Sequence, residues 1–133
     1  MSWRGKKVLV TGSDGFIGSH LVERLVRLGA DVRVFCFYNS NGSLGWLDGS
    51  PREIRKHLDI RLGDVRDGRF VEECCRGVDT VFHLAALIAI PFSYRAPESF
   101  IDTNVKGTLN VLEGVRRNGC RRMVQTSTSE VYG

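Results

Sequence analysis

A doubly wound α/β fold with one parallel sheet in strand order 3-2-1-4-5 is predicted by three features of this sequence. Short β-branched and aliphatic runs alternate with segments of helical periodicity along nearly the whole chain. Three glycines spaced three residues apart, Gly12, Gly15 and Gly18, fall where the first run meets the first helical segment. A length of 133 residues suffices for a single core. Strands linked through helices close by right-handed crossovers, which cover a parallel sheet on both faces.

Lys7 to Thr11 (Lys-Val-Leu-Val-Thr) reads as a strand buried on both sides. Phe16, Ile17, Leu21, Val22, Leu25, Val26 and Leu28 then recur at helical spacing, and Gly29 supplies the stop. Val32 to Phe37 is a second strand. Tyr38 to Ser50 is rich in Asn, Gly and Ser and must be loop or short turns, with room only for a small helix between Pro51 and Leu58. Asp59 to Leu62 is a third strand ending at Gly63-Asp64, and Phe70, Val71 and Cys74 mark a short helix before Gly77. Thr80 to Leu84 is a fourth strand. From about Ala96 to Asn118, the residues Phe100, Ile101, Val105, Leu109, Leu112 and Val115 form the apolar stripe of one helix, and Arg122 to Ser127 is a fifth strand.

Apolar residues at 42% and charged residues at 26% lie in the globular range, which excludes disorder, collagen-like repeats and a disulfide-stapled miniprotein. The net charge of +4 is scattered except at Arg116, Arg117, Arg121 and Arg122. Those four flank the Asn118-Gly119 stop of a predicted helix, where cations complement the dipole; they read as a solvated helix end, with no nucleic-acid partner. Cys36, Cys74, Cys75 and Cys120 show no CxxC or Cys/His spacing, so no metal is expected. The first residues run straight into a strand without a signal-peptide core or a membrane span. A cytoplasmic protein with reduced thiols is therefore expected.

The glycine turn carries the chemistry of the first half. Gly12 can take the positive φ of a tight turn, Gly15 lets backbone approach a pyrophosphate, and Gly18 permits close packing. Ser13, Asp14, Phe16 and Ile17 complete the corner, where a helix N-terminus offers free amides to an anion. A dinucleotide is the expected ligand of this Rossmann-type arrangement. An Asp or Glu about twenty residues further on would normally hold the ribose hydroxyls. Here the second strand ends Val34-Phe-Cys-Phe-Tyr38 with no carboxylate, which leaves NAD against NADP open. Asn39 and Ser40 offer polar groups at that point, although such residues commonly form turns. Arg33 could attract a phosphate, but its place in mid-strand favours packing.

Five motifs in order resemble the extended short-chain dehydrogenases. They run from Thr11 to Gly18, Leu62 to Asp67, His83 to Ala86, Asn104 to Thr108, and Ser127 to Gly133 (Ser-Thr-Ser-Glu-Val-Tyr-Gly). The nearest likeness is to NAD-dependent epimerase/dehydratases of nucleotide sugars, and among them to the 4,6-dehydratases, the GDP-mannose type included. Phe37 to Asn41, Gly45 to Asp48 and Leu87 to Tyr94 resemble a bacterial branch acting on UDP-N-acetylhexosamine-type substrates. The resemblance implies NAD as cofactor, with NADP not excluded, and a nucleotide sugar as partner.

By the same resemblance, Asp64 and Val65 contact the adenine, while Leu84, Ala85 and Ala86 leave room for the cofactor beside the fourth strand. Thr126 and Ser127 close the cofactor site, and Asn104 serves a structural hydrogen bond. Thr128 bonds the sugar 4-hydroxyl, whose proton a Tyr from a Tyr-x-x-x-Lys motif removes as hydride passes to the nicotinamide. A 4,6-dehydratase must also remove the C5 proton and the C6 hydroxyl, which needs an acid/base group across the ring. Glu130 fits that need, two residues after Thr128 and on the same strand face if the extended conformation persists. Ser129 stands where one branch has Asp, so Glu130 would serve as both base and acid. Tyr132 receives no proton-transfer role.

The sequence reaches Gly133 before any Tyr-x-x-x-Lys, sixth strand or substrate domain. Residues 1–133 are thus expected to be an incomplete NAD(P)-binding domain that binds cofactor weakly and turns nothing over. Its longer parent would be the enzyme, possible as a homodimer. Two alternatives stand beside the dehydratase: a nucleotide-sugar 4-epimerase and a non-catalytic dinucleotide-binding module.

Overall fold

The computed structural model describes residues 2–132; Gly133, the last residue of the terminal motif, lies outside the described residues. Five parallel strands form one sheet: β1 (Lys7–Thr11), β2 (Asp31–Phe37), β3 (Leu58–Gly63), β4 (Thr80–His83) and β5 (Arg122–Gln125). Their order is β3-β2-β1-β4-β5, as expected from the alternation. Thr11 sits opposite Phe35 on one side and His83 on the other, Phe37 opposite Gly63, and His83 opposite Gln125. The carboxyl ends of the strands thus line one edge.

Helices are α1 (Phe16–Arg27), α2 (Arg52–Arg55), α3 (Gly68–Cys74), α4 (Ile90–Ser93), α5 (Pro97–Phe100) and α6 (Gly107–Asn118). Successive residues of β1 point to opposite faces of the sheet and feed two cores. Val8 and Val10 join Val22, Leu25, Val32, Val34, Cys36 and Leu47 beneath α1 and a 3-10 turn over Gly45–Gly49. Leu9 joins Phe35, Val65, Val71, Val81 and Val111 beneath α3 and α6. Arg33 is buried in mid-strand, its Nε donating to Asp59 at 2.7 Å and its Nη1 to the carbonyls of Cys74 at 2.6 Å and Arg76 at 3.0 Å. It therefore packs β2 and β3 against the end of α3.

The single helix expected over 96–118 is interrupted. Between α5 and α6 the residues Ile101–Lys106 form a π-helix, which shifts the rotational register of α6 relative to α5. The buried face of α6 is Gly107, Val111 and Gly114. A Cβ on Gly107 would lie 2.9 Å from Val65 Cγ2, and one on Gly114 3.0 Å from Cys75 Sγ. The helix backbone approaches its neighbours through glycine, and that contact turns the larger side chains outward. Ile101, Val105, Leu109 and Leu112 are 60%, 59%, 56% and 49% exposed, so the apolar stripe exists but is not the buried one.

The helix end matches its expectation. Gly119 caps α6 in the left-handed region at φ 64°, Arg116 pairs with Glu113 at 2.7 Å, and Arg117 with Glu72 at 2.9 Å. Two strands are shorter than expected. β4 stops at His83 because the amides of Leu84 and Ala85 turn toward the Thr11 hydroxyl, and β5 stops at Gln125 with Thr126 making the last ladder bond to the His83 carbonyl. The short helix α4, with Pro91 in its first turn, has no counterpart in the expectation for the Leu87 to Tyr94 segment. No helix among the described residues is long and apolar enough to cross a membrane.

Candidate functional site

Gly12 leaves β1 with φ 66°, and a Cβ there would lie 2.7 Å from the Ala85 amide nitrogen. A Cβ on Gly18 would lie 2.8 Å from Ser13 Cα and closer still to the Gly12 carbonyl oxygen. Both positions are therefore closed to any larger residue. Gly15 differs: a Cβ would meet only the Gly12 carbonyl oxygen, at 3.3 Å, and its outer side is open. It forms the N-cap of α1 in an extended conformation, and no side chain caps the helix. The first amides of α1 are thus unclaimed by side chains, at the carboxyl edge and beside the strand-order reversal between β1 and β4.

Around this corner Ser13 is buried, its hydroxyl 3.4 Å from Cys36 Sγ, which ties the turn to β2. Burial pushes the Cys36 thiol up to about 11, so it stays protonated. Phe16 and Ile17 are exposed, and Phe16 meets Trp46 edge-on with ring centroids 5.0 Å apart. Asp14 reaches β2, Oδ2 accepting the Phe37 amide at 3.3 Å.

A buried polar chain, not anticipated from sequence, locks the corner to β4 and α6. The Thr108 hydroxyl donates to the Asn104 carbonyl at 2.6 Å, so toward His83 Nε2, 3.1 Å away, it can only accept. Nε2 therefore carries the hydrogen, and Nδ1 accepts from the Thr11 hydroxyl at 2.6 Å. Thr11 Oγ1 in turn accepts the amides of Leu84 and Ala85, both at 3.2 Å. His83 is 1% exposed, and burial lowers its pKa to about 4. It is a neutral structural linker that positions the loop from Leu84 to Ala86 against Gly12.

Asp64, at the end of β3, holds the Arg66 guanidinium through both oxygens at 2.6 to 3.0 Å, and this pairing keeps its carboxyl below the usual range. Val65 is buried with its carbonyl taken by Asn110 at 2.9 Å. Asn39 spends its amide within its own loop, on the backbone of Ser43 at 2.8 and 3.0 Å. Asn104 makes the structural bonds expected of it, clamping both the N–H and the C=O of Leu87 at 2.8 Å.

Thr126, Ser127, Thr128, Ser129 and Glu130 are all exposed. The extended conformation that would put Thr128 and Glu130 on one strand face does not persist. Ser129–Tyr132 is a 3-10 turn, and the Thr128 hydroxyl accepts the Glu130 amide at 3.4 Å. The backbone turns here because β5 has ended and a Thr hydroxyl offers a local partner in place of a ladder.

The family model for GDP-mannose 4,6 dehydratase matches residues 9–133. The chain belongs to the GDP-mannose 4,6 dehydratase family. Among curated relatives of this family member, UDP-glucuronic acid decarboxylase 6 of Arabidopsis thaliana is 40% identical over 131 residues, covering 96% of the chain and 35% of the relative. Two solved structures extend the likeness. The UDP-N-acetylglucosamine 4-epimerase from Methanobrevibacter ruminantium M1, in complex with UDP-N-acetylmuramic acid, superposes with a TM-score of 0.83 at 32% identity, covering 98% of this chain and 40% of that one. MoeE5 in complex with UDP-glucose and NAD gives a TM-score of 0.77 at 34% identity, over 96% and 38% of the two chains. The chain spans little more than a third of the length of the relatives it matches. The corner fits the diphosphate of such a dinucleotide, since Gly15 leaves open space where any side chain would intrude.

Proposed function

We propose that this chain is the NAD(P)-binding domain, residues 1–133, of a nucleotide-sugar 4,6-dehydratase whose substrate domain belongs to a longer protein. The amides at Gly12 to Gly18 would hold the diphosphate, with Ser13, Asp14, Phe16 and Ile17 around it. Asp64 and Val65 would border the adenine, Asn39 would shape the loop at the ribose, and Leu84 to Ala86 with Thr126 and Ser127 would line the nicotinamide side. Bound NAD supplies a reversible hydride acceptor. Thr128 would donate a hydrogen bond to the sugar C4 oxygen. Glu130 would take the C5 proton as carboxylate and, as carboxylic acid, return a proton to the departing C6 hydroxyl so that water leaves, with Ser129 beside it.

The observation that carries the dehydratase reading is Glu130 in the Thr128-Ser129-Glu130 run. Its exposure supports it, because an acid/base group must be free to meet a sugar. On this reading the 3-10 turn at Ser129–Tyr132 would adjust around the sugar to bring Glu130 to the ring. Glu130→Gln in the longer protein should abolish elimination, by about 100-fold or more, while oxidation at C4 persists. Loss of neither would sink the reading. A 4-epimerase is the second reading, favoured by the likeness to the Methanobrevibacter ruminantium 4-epimerase; there Glu130→Gln leaves turnover intact. The free thiols fit a reducing, cytoplasmic compartment, and a homodimer of the longer protein belongs to the same proposal.

A further inference from the structure

The end of β2 lacks the carboxylate that ordinarily reads the adenosine ribose, yet the fold delivers a carboxylate there from another direction. Asp14 leaves the glycine turn and sets Oδ2 3.3 Å from the amide of Phe37, the last residue of β2. Its own carbonyl accepts the Trp46 amide at 2.9 Å, so the β2 loop is folded onto it from the other side. Gly45 makes that approach possible, with φ +59° and no Cβ to collide with the Asp14 backbone. Asp14 Oδ1 accepts no hydrogen bond among the described residues, and the residue is only half-buried.

The loop that folds onto Asp14 brings no cation of its own. The sequence from Val34 to Pro51 contains neither Lys nor Arg. Arg33 is committed to Asp59 and two carbonyls, Arg61 to Asp59 at 2.9 Å, and Arg66 to Asp64 at 2.6 Å. The negative field is also felt by a neighbour: burial raises the Cys36 thiol most, and the charges of Asp14 and Asp48 add to the rise.

We propose that Asp14 replaces the absent strand-end carboxylate and makes this corner select NAD over NADP. Its open oxygen accepts from the 2′-hydroxyl of the adenosine ribose, whereas a 2′-phosphate would meet a like charge with no unpaired arginine of β2 or β3 to compensate. The inference rests on the dinucleotide reading of the corner and adds to it the residue that discriminates.

Isothermal titration of NAD+ and NADP+ into the wild-type protein, Asp14→Asn and Asp31→Asn gives the ratio of the two dissociation constants. Asn keeps an acceptor for the Phe37 amide but removes the charge, and Asp31 lies at the opposite end of β2. Wild type should favour NAD+, and Asp14→Asn should shrink that preference by about tenfold or more, chiefly by tightening NADP+. Asp31→Asn should leave it within about twofold. Should Asp14→Asn fail to fold by circular dichroism, Asp14→Ser is read in its place. A ratio unchanged in the folded variant overturns the assignment, as does a wild type that binds both cofactors equally, and either result leaves the dinucleotide reading standing. A wild type that binds neither even at millimolar cofactor, where a weak site still registers, removes that reading, and Asp14's role falls with it.

Discussion

The corner between β1 and α1 and the segment after β5 both stand at the carboxyl edge, but they are built in opposite ways. At the corner, Gly12 and Gly18 touch backbone on their would-be side-chain faces, and Thr11 feeds a buried hydrogen-bonded chain through His83. After β5, every residue from Thr126 to Tyr132 is exposed, and Thr128 is held by local bonds from the amides of Glu130 and Val131. A site for a diphosphate benefits from geometry fixed before the ligand arrives. A site for acid/base work on a sugar must instead close around its substrate, and it draws on the less constrained end. The two halves of the proposed chemistry are thus allotted to a rigid and an adjustable piece of the same sheet edge.

Substitution at the corner gives the sharpest contrast. Gly18→Ala would push a methyl group within 2.8 Å of Ser13 Cα, a backbone atom that cannot swing aside. A loss of about 3 kcal/mol or more is expected in urea unfolding. Gly15→Ala, with open space outside it, should cost under about 1 kcal/mol. Equal costs at the two glycines would show that the corner is looser than its contacts imply.

Acid is the next largest lever, and its sign is set by His83. The folded pKa near 4 lies below the ordinary 6.5, so between those values the unfolded chain binds the extra proton. Stability is whole above about pH 6.5 and falls as pH drops toward 4. Between about pH 7 and pH 4.5 the loss should be about 2 to 3 kcal/mol in urea midpoints, most of it before carboxylates such as Asp64 begin to protonate. Flat stability across that window would mean that His83 is already charged or is not buried in solution.

Much of this architecture is legible in the residues because parallel strands buried on both faces leave short, mainly apolar runs, interrupted here by Arg33, Thr80 and His83. Val8 to Val10, Val32 to Cys36 and Thr80 to His83 could hardly be anything else, and their alternation with helices dictates the order of the sheet. Helix α6 departs from its expected face for a physical reason. A rule that seeks the largest apolar side chains on the buried face cannot see a contact made through Gly107 and Gly114, nor a π-helical shift at Ile101–Lys106 that has no local composition of its own. The partners of His83 and Asp14 are hidden from a local reading because their bonds join residues 72 and 23 apart in the chain. A His ending one strand beside a Thr ending its neighbour is the available signal for the first pair.

The smallest effect tests the other side of the contrast. The Thr128 side chain makes one long hydrogen bond, to the amide two residues on, and both it and Glu130 are exposed. Thr128→Ala and Glu130→Gln should therefore each alter the urea midpoint stability by no more than about 0.5 kcal/mol, whatever they do to turnover in the longer protein. A cost above about 1 kcal/mol for either would place them in the structural framework. The segment after β5 would then be as preset as the glycine corner, and catalysis would have to be explained without a rearrangement of the Ser129–Tyr132 turn.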